Sequence, residues 1–166
     1  MQIRQILKEA EVGSTLSISA WVSTRRKQKT FSFVEINDGS CLTGLQVIID
    51  DTVDNYEQNI ALAGTGASVK IEGTVVASQG NKQRIELHAT AFEIIGEVAE
   101  DYPLQKKRQS PEFLRDIAHL RARTKVMGMS TRVRSACAQA VHEFFKENGF
   151  YYIHTPIITA SDFEGA

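Results

Sequence analysis

Cysteine is scarce in this chain, with Cys41 and Cys137 the two in 166 residues. They lack both the paired spacing of a zinc site and the density of a disulfide scaffold, so they read as free thiols of a reducing compartment. Long apolar runs are missing too: nothing approaches the roughly 20 residues that a membrane-spanning helix needs. The opening residues, MQIRQILKEAEVG, contain no secretory-signal core. The expected location is cytoplasmic. Charge of one sign is not in excess, since 19 Lys and Arg stand against 20 Asp and Glu for a formal net charge of −1. Bulk electrostatics therefore demand neither a nucleic acid nor a membrane. Histidine is sparse, and His88, His119, His142 and His154 show neither metal-ligand spacing nor a paired nucleophile. No metal site is expected.

What is present is the composition of a globular protein, 42% hydrophobic and 23% charged. The near-neutral total hides a local asymmetry. From Tyr102 to Arg134 nine Lys and Arg face only Glu112 and Asp116.

Residues 1–15 form an amphipathic lead-in with Ile3, Ile6 and Leu7 at helical spacing. Alternation then takes over. LSISAWV places Leu16, Ile18, Ala20 and Val22 on one face, a basic turn STRRKQK comes next, and FSFVEIN alternates again. Asn37-Asp38-Gly39-Ser40 has turn chemistry, and LTGLQVIID (Leu42 to Asp50) is a third strand. Tyr56, Ile60 and Ala63 switch to helical intervals, with Asp51 or Thr52 as the expected cap and Gly64 and Gly66 as the stop. Two more strands, SVKIEGTVVA and RIELHATAFEII, flank a polar turn. Three strands, a short helix and two strands make the element order of an OB-fold, a five-stranded Greek-key barrel, although other small barrels share it. Beyond Gly96, Pro103 and Pro111 mark a linker. A helix is expected from about Ser130, with Val133, Cys137, Val141 and Phe144 on one stripe and Gly149 ending it. FYYIHTPII then reads as an edge strand interrupted by Pro156. A helix and one strand cannot bury their own apolar faces, so this part reads as the start of a second, truncated domain.

One stretch, TFSFVEINDGS, sets an anomaly. Val34 and Ile36 share the core face, yet Phe31 and Phe33 fall on the opposite, polar side. Gln46 lies on the same outer side, and Arg25 and Arg26 sit in the preceding turn. Rings stack on bases, guanidinium groups meet phosphates or base edges, and amides read base edges, so the set suits single-stranded nucleic acid. Packing beneath the lead-in, with arginines that merely keep an edge soluble, explains the same residues equally well. Strict alternation from Trp21 would turn Arg26 inward, so the first strand must end or bulge before it.

Three ordered segments, WVSTRR…FSFVEINDGSCLTGLQVIID, YPLQKKRQSPEFLRDIAHLRART and GFYYIHTPIITASDFEGA, resemble the asparaginyl-tRNA synthetase (asparagine–tRNA ligase) family. This is a class II aminoacyl-tRNA synthetase family of the aspartyl, asparaginyl and lysyl subclass. The resemblance implies an OB-fold anticodon-binding domain over residues 1–98, a hinge over 99–111 and the start of a class II catalytic domain over 112–166. The last of these would be motif 1, a helix and a strand that build a homodimer interface around Pro156. On the barrel it implies Phe33 as the ring stacked on the middle anticodon base, Arg26 near the first base and Gln46 as reader of the middle uridine. Phe31 has no implied role, and packing against the lead-in helix is its expected fate. No residue is assigned to the third base, for which the candidates lie on the last two strands near Arg84 and Glu86. Within SDFEGA, Glu164 resembles the loop glutamate that closes over the amino group of the amino acid, where a carboxylate suits an ammonium. Ser161 and Asp162 are weaker candidates.

The function so implied is ATP-dependent attachment of asparagine to its tRNA through an asparaginyl-adenylate, with ATP and Mg²⁺ as cofactors of the full-length enzyme. Motifs 2 and 3, which bind ATP, are absent from these residues. The 166-residue chain is thus expected to be inactive alone and to carry no catalytic residue. The alternatives are a stand-alone RNA-binding module and a protein-interaction paralogue without ligase activity.

Overall fold

The computed structural model describes residues 1–81, 83–107 and 109–158. Five strands close into one barrel: β1 (Thr15–Lys27), β2 (Phe31–Asn37), β3 (Leu45–Asp50), β4 (Ser68–Ala77) and β5 (Ile85–Gly96). Around the barrel they run β1-β2-β3-β5-β4, every pairing antiparallel except β3 with β5. That parallel seam is short, with Val47 beside Leu87 and Ile48 beside His88. The fold is the expected OB-type barrel.

Alternation locates the core. Val34, Ile36, Leu45, Val47, Ile49, Val69, Ile71, Ile85 and Leu87 point inward and are at most 1% exposed. Each such aliphatic side chain contributes about 1.5–3 kcal/mol on burial. Gly73 joins the inward row of β4 because a Cβ there would lie 2.4 Å from the carbonyl oxygen of His88. A register irregularity between Glu72 and Gly73 adjoins that close approach.

The first strand is longer than its apolar pattern. It continues through Lys27, so Arg25 and Arg26 lie in β1 and not in a turn. A bulge between Val22 and Thr24 leaves Ser23 unpaired and reverses the parity of the rest of the strand. Arg25 then stands opposite inward Val34, and Arg26 stands opposite outward Phe33. Of the two expected outcomes, an ended strand or a bulge, the structure has the bulge.

Helices close the ends of the barrel. In α1 (Ile3–Glu9), Ile3 and Ile6 are buried. The N-terminus of α1 is capped from far along the chain: the Ile3 N–H donates to Asp38 Oδ2 at 2.8 Å and the Arg4 N–H to Ser40 Oγ at 3.0 Å. Its last turn is held by Arg84, which donates to the Ala10 carbonyl at 2.8 Å. In α2 (Tyr56–Leu62), Tyr56 and Ile60 face the core, and Arg25 donates to the C-terminal carbonyls of Ile60 and Ala61. The expected cap at Asp51 or Thr52 is not used. A turn occupies those residues, and Asn55, in the left-handed conformation at φ 57°, starts the helix without a side-chain cap.

After β5 the chain crosses to α3 (Pro111–Asp116), opened by Ser110, whose Oγ accepts from the Phe113 N–H at 3.2 Å. On the way, Tyr102 lies against Gly66, whose φ of +101° and close ring leave no room for a side chain. A 3₁₀ turn (Arg121–Arg123) leads into α4 (Lys125–Glu147). This helix begins five residues earlier than the expected Ser130, because Thr124 accepts from the Met127 N–H. It ends as expected at Gly149, φ +83°, in a Schellman arrangement: Gly149 N–H to Lys146 O, Phe150 N–H to Phe145 O, and the Phe145 and Phe150 rings 5.3 Å apart.

The expected strand over FYYIHTPII does not form. Residues 150–158, Pro156 included, are exposed and carry no ladder. A strand exists only through hydrogen bonds to a neighbour, and among the described residues nothing pairs with this segment.

Candidate nucleic-acid interface

The outer face shared by β1, β2, β3 and the start of β5 gathers the residues singled out by the sequence. Phe33 stands opposite Ile48, and Glu35 stands opposite Gln46. The bulge at Ser23 brings Arg26 onto the same side, with its guanidinium carbon 4.8 Å from the centre of the Phe33 ring. That distance is within cation–π range. Phe31 meets Phe33 edge to face, centroids 5.1 Å apart and planes at 89°. It does not reach the lead-in helix, as was expected of it. Phe31 begins β2, whereas α1 docks on Asp38 and Ser40 beyond the other end of that strand.

Gln46 is held by a partner 40 residues away. Its Nε2 donates to Glu86 Oε1 at 3.1 Å, and the Ser78 hydroxyl donates to the same oxygen at 2.6 Å. Glu86 is only 6% exposed, and Ser78, which bonds it, opens the connection from β4 to β5. Further along the face, His88 Nε2 and Asp50 Oδ2 are 2.7 Å apart, and Ile48 adds a half-buried apolar surface.

Arg26, Phe33 and Gln46 are thus brought together on one accessible face, with a flat ring, a planar cation and an amide side by side. This arrangement can stack a base, meet a phosphate and read a base edge. Arg25, its sequence neighbour, is separated from them and serves α2. Arg84 is likewise committed to α1. The Glu86–Gln46 contact was invisible in the sequence, where Glu86 stood only as a candidate for a different base. Its one available signal was an acid at a strand position flanked by inward Ile85 and Leu87. Glu164, Ser161 and Asp162 lie outside the described residues.

Beyond the barrel, Arg123 donates to the Tyr102 hydroxyl at 3.2 Å and lies over Trp21, and Arg132 of α4 donates to the Gly39 carbonyl. The stripe of Val133, Val141 and Phe144 on α4 is more than half exposed. Among the described residues no group of three or more His, Cys, Asp or Glu converges to hold a metal ion. No helix of the described residues is long and apolar enough to cross a membrane.

Comparison with known proteins bears on both parts of the chain. The family model described as an OB-fold nucleic acid binding domain matches residues 16–95, and that of the tRNA synthetases class II (D, K and N) matches residues 110–166. The asparagine–tRNA ligase of Picosynechococcus sp. is 56% identical over 167 residues, covering 100% of this chain and 36% of that relative. The asparagine–tRNA ligase of Treponema denticola is 51% identical over 168 residues, covering 99% of this chain and 36% of that relative. The chain therefore spans just over a third of the curated relatives it matches. Among solved structures, the asparaginyl-tRNA synthetase of Pyrococcus horikoshii complexed with asparaginyl-adenylate superposes with a TM-score of 0.86 at 24% identity, over 99% of this chain and 38% of that one. At that identity the likeness speaks for the fold.

Proposed function

Because the chain belongs to the class II tRNA synthetases of the D, K and N group, with an OB-fold nucleic acid binding domain in front, we propose that its barrel is the anticodon-reading arm of an asparagine–tRNA ligase. The observation that carries this reading is the convergence of Arg26, Phe33 and Gln46 on one outer face. Phe33 stacks on the middle anticodon base. Arg26, already seated over the ring, neutralises the adjoining phosphate or meets the first base. Gln46 reads the Watson–Crick edge of the middle uridine.

The whole protein would join asparagine to its tRNA in the cytoplasm. ATP would supply the activated phosphoryl bond, and Mg²⁺ would offset its charge. Residues 1–98 act as the recognition arm, 99–111 as the hinge and 112–166 as the opening of the catalytic domain. The exposed stripe of α4 and the extended segment around Pro156 supply a dimer contact. Glu164 would meet the ammonium of the amino acid. The 166 residues alone are expected to give no asparagine-dependent exchange between ATP and pyrophosphate.

The recognition step is tested by titrating the chain against a fluorescent stem-loop carrying a GUU anticodon. Phe33→Ala should weaken binding by about 1–3 kcal/mol, the value of one base on an aromatic platform. Unchanged affinity in the variant, or equal wild-type affinity for a scrambled anticodon, overturns the reading.

A further inference from the structure

A carboxylate can only accept. The bond between Gln46 and Glu86 therefore engages the NH₂ end of the glutamine amide, at 3.1 Å, and the carbonyl Oε1 is the end left for a ligand. Rotating the amide by half a turn would set its oxygen against the Glu86 carboxylate, lone pairs against lone pairs. That carboxylate cannot step aside, since it is 6% exposed and anchored by the Ser78 hydroxyl at 2.6 Å. Ser78 is fixed in turn, accepting from the Gly80 N–H at 3.1 Å where the β4–β5 connection begins.

We propose that Glu86 is a positioning residue that locks Gln46 with its carbonyl oxygen outward and so selects a base carrying a ring N–H. Uracil at N3 and guanine at N1 offer that donor. Cytosine and adenine present a lone pair at the same place and are repelled by the oxygen. Specificity is then set in two layers, the touching amide and the buried acid that fixes its orientation. The inference rests on the reading that Gln46 meets a base.

The test measures the affinity of the full chain for two stem-loops that differ only in the middle anticodon base, U or C. Wild type should prefer U. In Glu86→Gln the partner can donate as well as accept, Gln46 is free to turn, and the U-over-C ratio should fall about tenfold while binding of the C hairpin stays level or improves. Gln46→Ala should lower the ratio similarly, and adding Glu86→Gln to it should lower it no further, because the two residues act as one device. A merely structural role would weaken both hairpins alike and preserve the ratio. That outcome overturns the proposal, as does a ratio lost in Gln46→Ala but kept in Glu86→Gln. If wild type shows no preference at all, the failure lies with the base-reading role of Gln46. Should Glu86→Gln not fold, Glu86→Asp, which withdraws the acceptor by one methylene, replaces it with the same expected fall.

Discussion

Ser32 and Phe33 are neighbours in β2 that face opposite ways, and their contrast shows how one alternating strand builds both the core and the outer face. Ser32 faces inward, 0% exposed, and its hydroxyl lies 2.8 Å from the Tyr56 hydroxyl, also buried. This pair ties α2 to the barrel beneath the outer face. Ser32→Ala leaves the Tyr56 hydroxyl buried without a partner and should cost about 1–3 kcal/mol in a urea unfolding curve. Adding Tyr56→Phe should recover part of the loss, since removing both polar groups is milder than orphaning one. A neutral Ser32→Ala would contradict the pairing. Phe33 faces outward, and its ring is held by neighbours on both sides, Arg26 over it and Phe31 against it. A ring already fixed would lose little further freedom to a planar group stacked on it.

At the level of elements, α1 depends on a loop it does not adjoin in sequence. Asp38 and Ser40, in the connection from β2 to β3, supply the acceptors for its first two N–H groups. Partial burial works to raise the pKa of the Asp38 carboxyl, but hydrogen bonds from the Ser40 side chain and from the Ile3 and Ser40 backbone outweigh it and hold the pKa below its ordinary value of 3.8. A depressed folded pKa means a contribution that is complete above 3.8 and disappears as pH falls through the lower, folded value. Asp38→Asn should therefore lower stability by about 1 kcal/mol at pH 7, as expected for a weakened helix cap. The two proteins should converge in acid below that range, as tracked by denaturant unfolding at each pH. A gap that is constant with pH would exclude the carboxylate as the cause.

Elements also divide what was legible from what was not. Alternation in FSFVEIN and LQVIID placed the core face and the outer face correctly, because a period of two admits only two answers. The parity conflict at Arg26 required the strand to end or bulge before it, and the bulge at Ser23 is the outcome. By contrast, α2 starts past the Asp and Thr that carried the visible capping signal, at Asn55 in the left-handed conformation, which local pattern does not single out. The Gln46–Glu86 contact depends on the parallel β3–β5 seam, a closure that no local pattern encodes. The strand expected around Pro156 had the right residues, but among the described residues it finds no partner to make it a strand.

On the scale of the whole molecule, two regions differ in how they bury themselves. The barrel keeps its inward-facing apolar side chains at or near zero exposure, while α4 presents Val133, Val141 and Phe144 to solvent. A few polar and aromatic contacts tie the barrel to the C-terminal helices, with Arg123 touching Trp21 and Tyr102, and Arg132 reaching Gly39. Gly39 belongs to the same loop as Asp38 and Ser40, so the cap of α1 and the contact of α4 share one short connection. The face that gathers Arg26, Phe33 and Gln46 lies on β1–β3 and the start of β5. The central claim is that the middle base of an anticodon loop sits on Phe33 beside Gln46. Its most direct test is photocrosslinking of the chain to a GUU stem-loop with 4-thiouridine at the middle position, mapped by mass spectrometry. The account predicts adducts on the peptides that contain Phe33 or Gln46, lost with a scrambled anticodon. Adducts on α4, or on the Thr90–Ile94 side of β5, would contradict it.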